Sequence, residues 1–108
     1  MKIAISANGQ NLDATVNERF GRCPYFLIVE TDDMSCEAIP NTNAELSSGA
    51  GIQAASMVAS KGAGAIITGS CGPKAMQVFS ETGLQTILNQ QGVVRDVVAA
   101  FKSGTLRA

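Results

Sequence analysis

A short apolar run that leads into a glycine-rich turn constrains the fold of this chain more than any other stretch. Residues 65–68 predict a brief buried strand bounded by glycines. Gly69 and Gly72 then allow the backbone to turn tightly. Pro73 suits the first position of a helix, because its missing N–H would be unpaired there anyway. The stretch therefore predicts a strand, a tight turn and a helix N-terminus, which is the repeating unit of α/β sheets.

Apolar runs and helical spacings continue this alternation along the chain. Strands are predicted at residues 2–7, 25–31, 35–40, 65–68 and 84–88. Helices are predicted from the glycines at 49 and 51 to about residue 61, from 73 to about 81, and from about 93 to 103. The residues expected to face the sheet are Ile52, Ala55, Val58 and Ala59 in the first helix and Met76 and Phe79 in the second.

The predicted topology is a five-stranded mixed sheet of order 3-2-1-4-5. Asp32 and Asp33 signal a turn, so the second and third strands form an antiparallel pair. Right-handed crossovers then place the fourth and fifth strands on the other side of the first. Helices cover both faces, which gives an α/β fold of three layers. A chain of 108 residues holds one such core, so residues 1–108 are expected to form a single domain.

Three loops are expected to meet where the strand order reverses, between the first and fourth strands. Open α/β sheets bind their ligands there, outside the carboxyl ends of the strands. The loops comprise residues 8–23, 48–51 and 69–74. The last of them should also collect free backbone N–H groups and the positive end of a helix dipole. We therefore expect an anion-binding site at this edge.

The candidate ligand contacts follow from this location. Cys71 lies within the turn, where the field of the helix would stabilise a thiolate, which is also a soft metal ligand. Cys23 is the second candidate metal ligand. Arg22 and Lys74 adjoin the site and would neutralise the charge of an anion. The remaining candidates lie in the glycine turns and at strand ends, and they are Asn8, Phe20, Gly21, Gly49, Gly51, Gly69, Ser70 and Gly72.

Each candidate also has a purely structural interpretation. A free cysteine is often a small buried hydrophobe, which is the alternative for Cys71 and Cys23. For Cys36, in the predicted edge strand, ordinary packing or a surface position is favoured. Lone basic side chains are usually solvated, and Arg19 is expected to face solvent.

Composition excludes several classes of function. The aromatic content is 5%, the net charge is −1 and no basic run occurs, which argues against nucleic-acid binding. No segment approaches the roughly 18 to 20 consecutive apolar residues of a membrane span. Three cysteines without framework spacing are typical of a reducing cytoplasm. The absence of histidine removes the usual zinc and general-base chemistry.

Several short motifs, in order along nearly the whole chain, carry a resemblance to a known family. They are residues 1–5, Phe20-Gly21-Arg22 with Pro24-Tyr25-Phe26, Gly49-Ala50-Gly51, and Thr68-Gly69 with Gly72-Pro73. Their succession resembles the dinitrogenase iron–molybdenum cofactor biosynthesis family. The resemblance implies a ribonuclease H-like fold and a small cytoplasmic protein that binds or carries a metal–sulfur cofactor or its precursor. It also implies partners among cofactor-assembly proteins or nucleotide-binding iron–sulfur proteins.

Within that family, the sequence is similar to the small orange proteins of anaerobic bacteria. That similarity implies a molybdenum–copper sulfide cluster held without covalent bonds. Members that handle the nitrogenase cofactor precursor are thought to use a histidine ligand, and this chain has no histidine. Direct histidine ligation is therefore excluded, whereas an anionic thiometallate that needs little protein ligation fits the sequence.

Two other classes of function compete with this non-catalytic carrier. A ribonuclease H-like nuclease needs carboxylates clustered around divalent metals, and the acidic residues do not lie at the ends of the central strands. A cysteine nucleophile would lack a histidine partner. The glycine loops fit a phosphate as well as a thiometallate, so a regulatory or scaffold domain that binds a phosphate-bearing small molecule, or another protein, stays open.

Overall fold

Five strands form one mixed sheet in the order β3-β2-β1-β4-β5, in a computed structural model that describes residues 1–42 and 50–106. The strands are β1 (Lys2–Ala7), β2 (Tyr25–Glu30), β3 (Ser35–Pro40), β4 (Ala65–Ile67) and β5 (Gln85–Ile87). The helices are α1 (Ala50–Ser60), α2 (Pro73–Thr82) and α3 (Val94–Ser103). β2 runs antiparallel to both β1 and β3, and β4 runs parallel to β1 and β5. The predicted α/β class, single domain and strand order are confirmed.

Successive side chains of β1 point to opposite faces of the sheet, and helices cover both faces. Ile3 and Ile5 of β1 pack in the core beneath α3, whereas Ala4 packs in the core beneath α1 and α2. Because the inner strands are covered on both faces, their sequences are nearly continuous apolar runs. The sheet is therefore the middle of three layers. None of the helices in the described part of the chain is long and apolar enough to cross a membrane.

The inward face of α1 differs from the predicted one. Its buried residues are Ala50, Ala54, Ala55 and Val58. The prediction for Ile52 is wrong, since this side chain is 36% exposed. Apolar residues occur on all sides of α1, so periodicity does not select a face, and mostly small side chains lie innermost where the helix packs closely. In α2, Phe79 is buried as predicted, but Ala75 rather than Met76 is its buried neighbour.

The long loop (residues 8–24) connects β1 to β2, and its first half is bonded to α3. The carbonyls of Leu12 and Ala14 accept hydrogen bonds from the N–H groups of Arg95 and Val94. These bonds satisfy N–H groups in the first turn of α3, which has no side-chain cap. The loop therefore closes the positive end of α3.

The second half of the long loop crosses the carboxyl end of the sheet. The N–H of Asn17 donates to the Ser6 carbonyl at 2.8 Å, and the N–H of Phe20 donates to the Ser70 carbonyl at 2.9 Å. The Phe20 side chain is 6% exposed, and its ring centroid lies 5.0 and 5.2 Å from two other phenylalanine rings. As predicted, Phe20 anchors the loop in the core.

This crossing requires a residue without a side chain at position 69. A Cβ atom on Gly69 would lie 2.5 Å from the Glu18 carbonyl oxygen and 2.6 Å from its Cα. Both distances are far inside van der Waals contact, which for carbon begins at about 3.5 Å. The Ser70 hydroxyl donates to the same carbonyl at 2.9 Å, so the contact is close and also hydrogen-bonded.

We expect Gly69→Ala to lower the free energy of unfolding by roughly 1 to 3 kcal/mol, because the backbone of the long loop must move away from the added methyl group. The measurement is urea denaturation followed by circular dichroism. Gly72→Ala is the matched control, since a Cβ there meets nothing within 4 Å. Its unfolding free energy should stay within about 1 kcal/mol of wild type. Equal stability of the two variants would contradict the close approach.

Candidate functional site

An open cavity of about 410 Å³ lies where the long loop, the start of α1 and the turn after β4 meet. We call it the anion cavity. Its lining residues are Arg19, Phe20, Gly21, Arg22, Ala50, Gly51, Ser70, Cys71 and Gly72. The three loops expected to converge at the reversal of strand order therefore share one hollow.

The long loop and α1 touch through two glycines. Gly21 has a φ of +90°, which L side chains rarely adopt, and a Cβ on it would lie 3.1 Å from the Gly51 Cα. Glycine at position 21 therefore permits both the turn and the close approach to α1. On its other side, the loop pairs Arg19 with Ser70 in an isolated parallel bridge. The segment carrying the two arginines is fixed between α1 and the β4–α2 turn.

The first turn of α1 and the N-cap of α2 border the anion cavity. Ala50 and Gly51 of the first turn of α1 line it, and so does Gly72, the N-cap of α2. No side chain caps α2, in contrast to α3, whose first N–H groups bond to the long loop. Free N–H groups and the helix dipole favour negative charge at such a place.

The charged side chains of the cavity wall have one sign. Arg19 and Arg22 both line it, and no acidic residue of the described chain does. Guanidinium groups offer several donors in a fixed plane to an anion. Arg19 is exposed, as expected, and it also lines the open cavity, where the isolated bridge with Ser70 holds this part of the loop.

The cysteines differ from the sequence-based expectation. Cys71 lines the cavity and is half-buried. Burial raises the pKa of its thiol to about 11, which favours a neutral thiol rather than the predicted thiolate. Cys23 is 0% exposed and packs in the core beneath α1 and α2. Burial likewise raises the pKa of Cys23 to about 11, and the prediction that it lies in the cavity wall is wrong.

Other predicted contacts lie beside the anion cavity. Asn8 lines an adjoining cavity of about 400 Å³, and Gly69 lines another of about 310 Å³. Lys74 is exposed on α2 and is absent from the described lining. Gly49 lies outside the described residues. Cys36 is exposed on the edge strand β3, in line with its structural interpretation.

The donor set is poor in metal ligands. Across residues 1–42 and 50–106, no three side chains of the types His, Cys, Asp and Glu gather in a way that could hold a metal ion. Cys71 is the one thiol among the described lining residues. The arrangement therefore suits an anion held by N–H donors and guanidinium groups, with at most one sulfur ligand from the cavity wall.

Comparison with known proteins agrees with this geometry. The sequence model of the family described as dinitrogenase iron-molybdenum cofactor matches residues 1–104. The chain belongs to this family. An uncharacterized protein of Methanocaldococcus jannaschii is 33% identical over 109 residues, which cover 98% of this chain and 89% of the relative.

Two solved structures of high similarity extend the comparison. The apo form of the orange protein from Desulfovibrio gigas is 39% identical, with a TM-score of 0.92, and the match covers 97% of this chain and 89% of that one. A putative NifB protein from Thermotoga is 29% identical, with a TM-score of 0.84, and the match covers 98% and 90% of the two chains. The family resemblance drawn from the sequence is therefore confirmed.

The raised pKa of Cys71 predicts slow reaction with iodoacetamide near neutral pH. The thiolate is the nucleophile, and a pKa of about 11 leaves roughly one thiol in a thousand ionised at pH 8. We expect the Cys71 alkylation rate to rise about tenfold for each pH unit up to about 11. Peptide mass spectrometry at a series of pH values measures this, with exposed Cys36 as the internal comparison. A fast rate at pH 7 that is independent of pH would instead indicate a thiolate.

Proposed function

We propose that this protein binds and carries an anionic metal–sulfur cofactor or its precursor in the anion cavity, without turning over a substrate. The observation that carries the proposal is the joint arrangement of two helix N-termini and two arginines around one hollow. Among the residues that the structure describes, neither an acidic side chain nor a side-chain cap of α2 competes with a ligand there. The helix N-termini and the arginines each favour negative charge, and none of them supplies a general base or a nucleophile activated at neutral pH.

The cargo that fits best is a compact, sulfur-clad anion. A volume of about 410 Å³ lies within the range of small-molecule sites. The apolar edge of Phe20 and the neutral thiol of Cys71 lie beside the charged donors, and polarisable sulfur atoms suit both surroundings. The family and the resemblance to the orange protein support a molybdenum-containing cargo. We propose a molybdenum–copper sulfide cluster as its specific form.

The remaining parts of the proposal follow the family. The partners would be cofactor-assembly proteins or nucleotide-binding iron–sulfur proteins that deliver or receive the cargo in the cytoplasm. We propose that the fold is ribonuclease H-like, as the resemblance implies, and the strand order supports this. The described residues lack the carboxylate cluster that a nuclease would need.

A phosphate-bearing small molecule is the second candidate. The same N–H groups and guanidinium groups would bind phosphate oxygens, as helix N-termini commonly do. Under this alternative, Cys71 would have no role in binding. The two candidates therefore differ in their dependence on the thiol and in the colour of the complex.

Mixing the protein with tetrathiomolybdate and copper should produce visible charge-transfer absorption that survives gel filtration. We expect Arg19→Ala and Arg22→Ala each to weaken binding by about tenfold or more, because charged hydrogen bonds to the anion are lost. Higher salt should weaken binding by wild type further. A titration followed by absorbance measures these effects.

The matched control is Arg95→Ala. This variant removes one positive charge, as the other two do. Arg95 is an exposed residue of α3 whose guanidinium lies 3.2 Å from the Asp13 carboxylate, and it is absent from the described lining. Its affinity should stay within about twofold of wild type, since exposed charges act weakly at a distance. Colourless protein under all conditions, or equal losses in all three variants, would contradict the proposed site.

Cys71→Ser separates direct metal ligation from electrostatic binding. If the thiol ligates the metal, the variant should lose about tenfold or more in affinity for the thiometallate, while binding of inorganic phosphate stays unchanged. If the cargo is held by N–H and guanidinium donors alone, both affinities should equal those of wild type. We expect both affinities to equal those of wild type, because the raised pKa of Cys71 favours a neutral thiol. The measurement is a paired titration with the two anions.

A further inference from the structure

A buried asparagine outside the described cavity wall forms hydrogen bonds to the backbone on both sides of Arg22. Asn41 follows β3 and is 9% exposed. Its side-chain Nδ2 donates to the carbonyl of Gly21 at 3.0 Å and to the carbonyl of Cys23 at 2.9 Å. These two carbonyls stand immediately before and after Arg22. A single amide group therefore fixes the backbone on both sides of a cavity-lining residue.

One backbone bond within this turn is long. The N–H of Arg22 reaches the Arg19 carbonyl at 3.3 Å, which is at the long end of hydrogen-bond distances. Gly21 has a positive φ and lacks a side chain that could pack and hold the turn. The backbone N–H of Asn41 adds a bond to the Pro24 carbonyl at 2.9 Å. Asn41 therefore holds the backbone from Gly21 to Pro24 through hydrogen bonds to three of its carbonyls.

An amide is the side chain that this position requires. Asn offers two N–H donors from one neutral nitrogen, which matches two carbonyls that converge from one turn. A carboxylate would repel both oxygens, and an aliphatic residue would leave buried carbonyls without partners. Asn41 contacts the turn through these carbonyls and is absent from the described lining of the anion cavity.

We propose that Asn41 is a positioning residue of the anion cavity, which holds the turn so that Arg22 is directed at the bound anion. This inference rests on the proposed function. A guanidinium whose backbone is already fixed loses less conformational freedom when it binds, so pre-organisation increases affinity. Removal of Asn41 should weaken binding only through Arg22.

A double-mutant cycle tests this coupling. The probe is tetrathiomolybdate with copper, titrated by its visible absorption at a temperature where every variant is folded by circular dichroism. We expect Asn41→Ala to weaken binding about three- to tenfold in the wild-type background. In the Arg22→Ala background, the same substitution should change affinity by less than about twofold. A general structural defect would give the same factor in both backgrounds and would overturn the proposal.

Thr31→Val is the matched control. Thr31 is also 9% exposed, and its hydroxyl donates to a backbone carbonyl, that of Met1, at 3.1 Å. It lies just beyond the end of β2 that is remote from the cavity. The control should lower the melting temperature and leave the affinity within about twofold of wild type. Should Asn41→Ala fail to fold, Asn41→Ser, which keeps one hydroxyl donor, takes its place in the cycle.

Amide hydrogen exchange gives a readout that needs no cargo. In the Asn41 variant, exchange at Arg22 and Cys23 should accelerate about tenfold or more while β1 stays protected. Unchanged exchange, or wild-type affinity in a folded variant, would overturn the positioning role. Failure of wild-type protein to bind the probe would count against the proposed function instead, and exchange would still decide the role of Asn41.

Discussion

The passage of the long loop across the carboxyl end of β4 is the constraint on which the rest of the molecule depends. Glu18 lies so close to Gly69 that no side chain fits between them, and Ser70 bonds to the loop from both its backbone and its hydroxyl. Open α/β sheets usually leave a crevice for a ligand at this point. Here the chain itself occupies the crevice, and the ligand site is displaced toward α1 and α2.

This displacement explains why the three helix ends differ. The first half of the long loop supplies carbonyls to α3, and so its dipole is used within the fold. The second half touches α1 at Gly51 and the turn before α2 at Ser70, and it presents Arg19 and Arg22 to the space between them. One continuous segment thus neutralises one helix N-terminus and adds positive charge near two others. Helix N-termini and two arginine side chains therefore favour an anion in this hollow, in a chain whose net charge is −1.

The architecture was predictable because each element carries a local signal of its own. Apolar runs, glycines and Pro73 mark the boundaries of strands and helices, and the handedness of crossovers leaves the observed strand order as the simplest one. The face of α1 was not predictable, since apolar residues surround it and Ile52 looks as suitable for the core as Val58. The position of Cys23 follows from how deeply the turn after Phe20 packs, which no local pattern encodes.

The location of the site could be predicted from the sequence, whereas the chemistry of its side chains could be predicted only in part. The positions of the glycines predicted the hollow, but the protonation state of Cys71 depends on how far the surrounding loops exclude water, and burial raises the pKa of this thiol. The sequence did not identify Arg19 or Asn41 as site residues, for a related reason. Their roles arise from contacts with Ser70, Gly21 and Cys23 that lie far from them in sequence or across a turn, and both stand in polar segments that look like ordinary solvent-exposed loop.

A site of this composition suits a carrier better than a permanent cofactor holder. Several metal–thiolate or metal–imidazole bonds would make release slow, whereas N–H and guanidinium donors exchange readily with water. The hollow is open, and the loop segment beside it is held by side-chain hydrogen bonds of Asn17 and Asn41, so an anion bound there would exchange with solvent without unfolding of the sheet. Affinity then depends on pre-organised positive charge, and that charge can be lowered by salt or by an acidic partner surface at the cavity mouth.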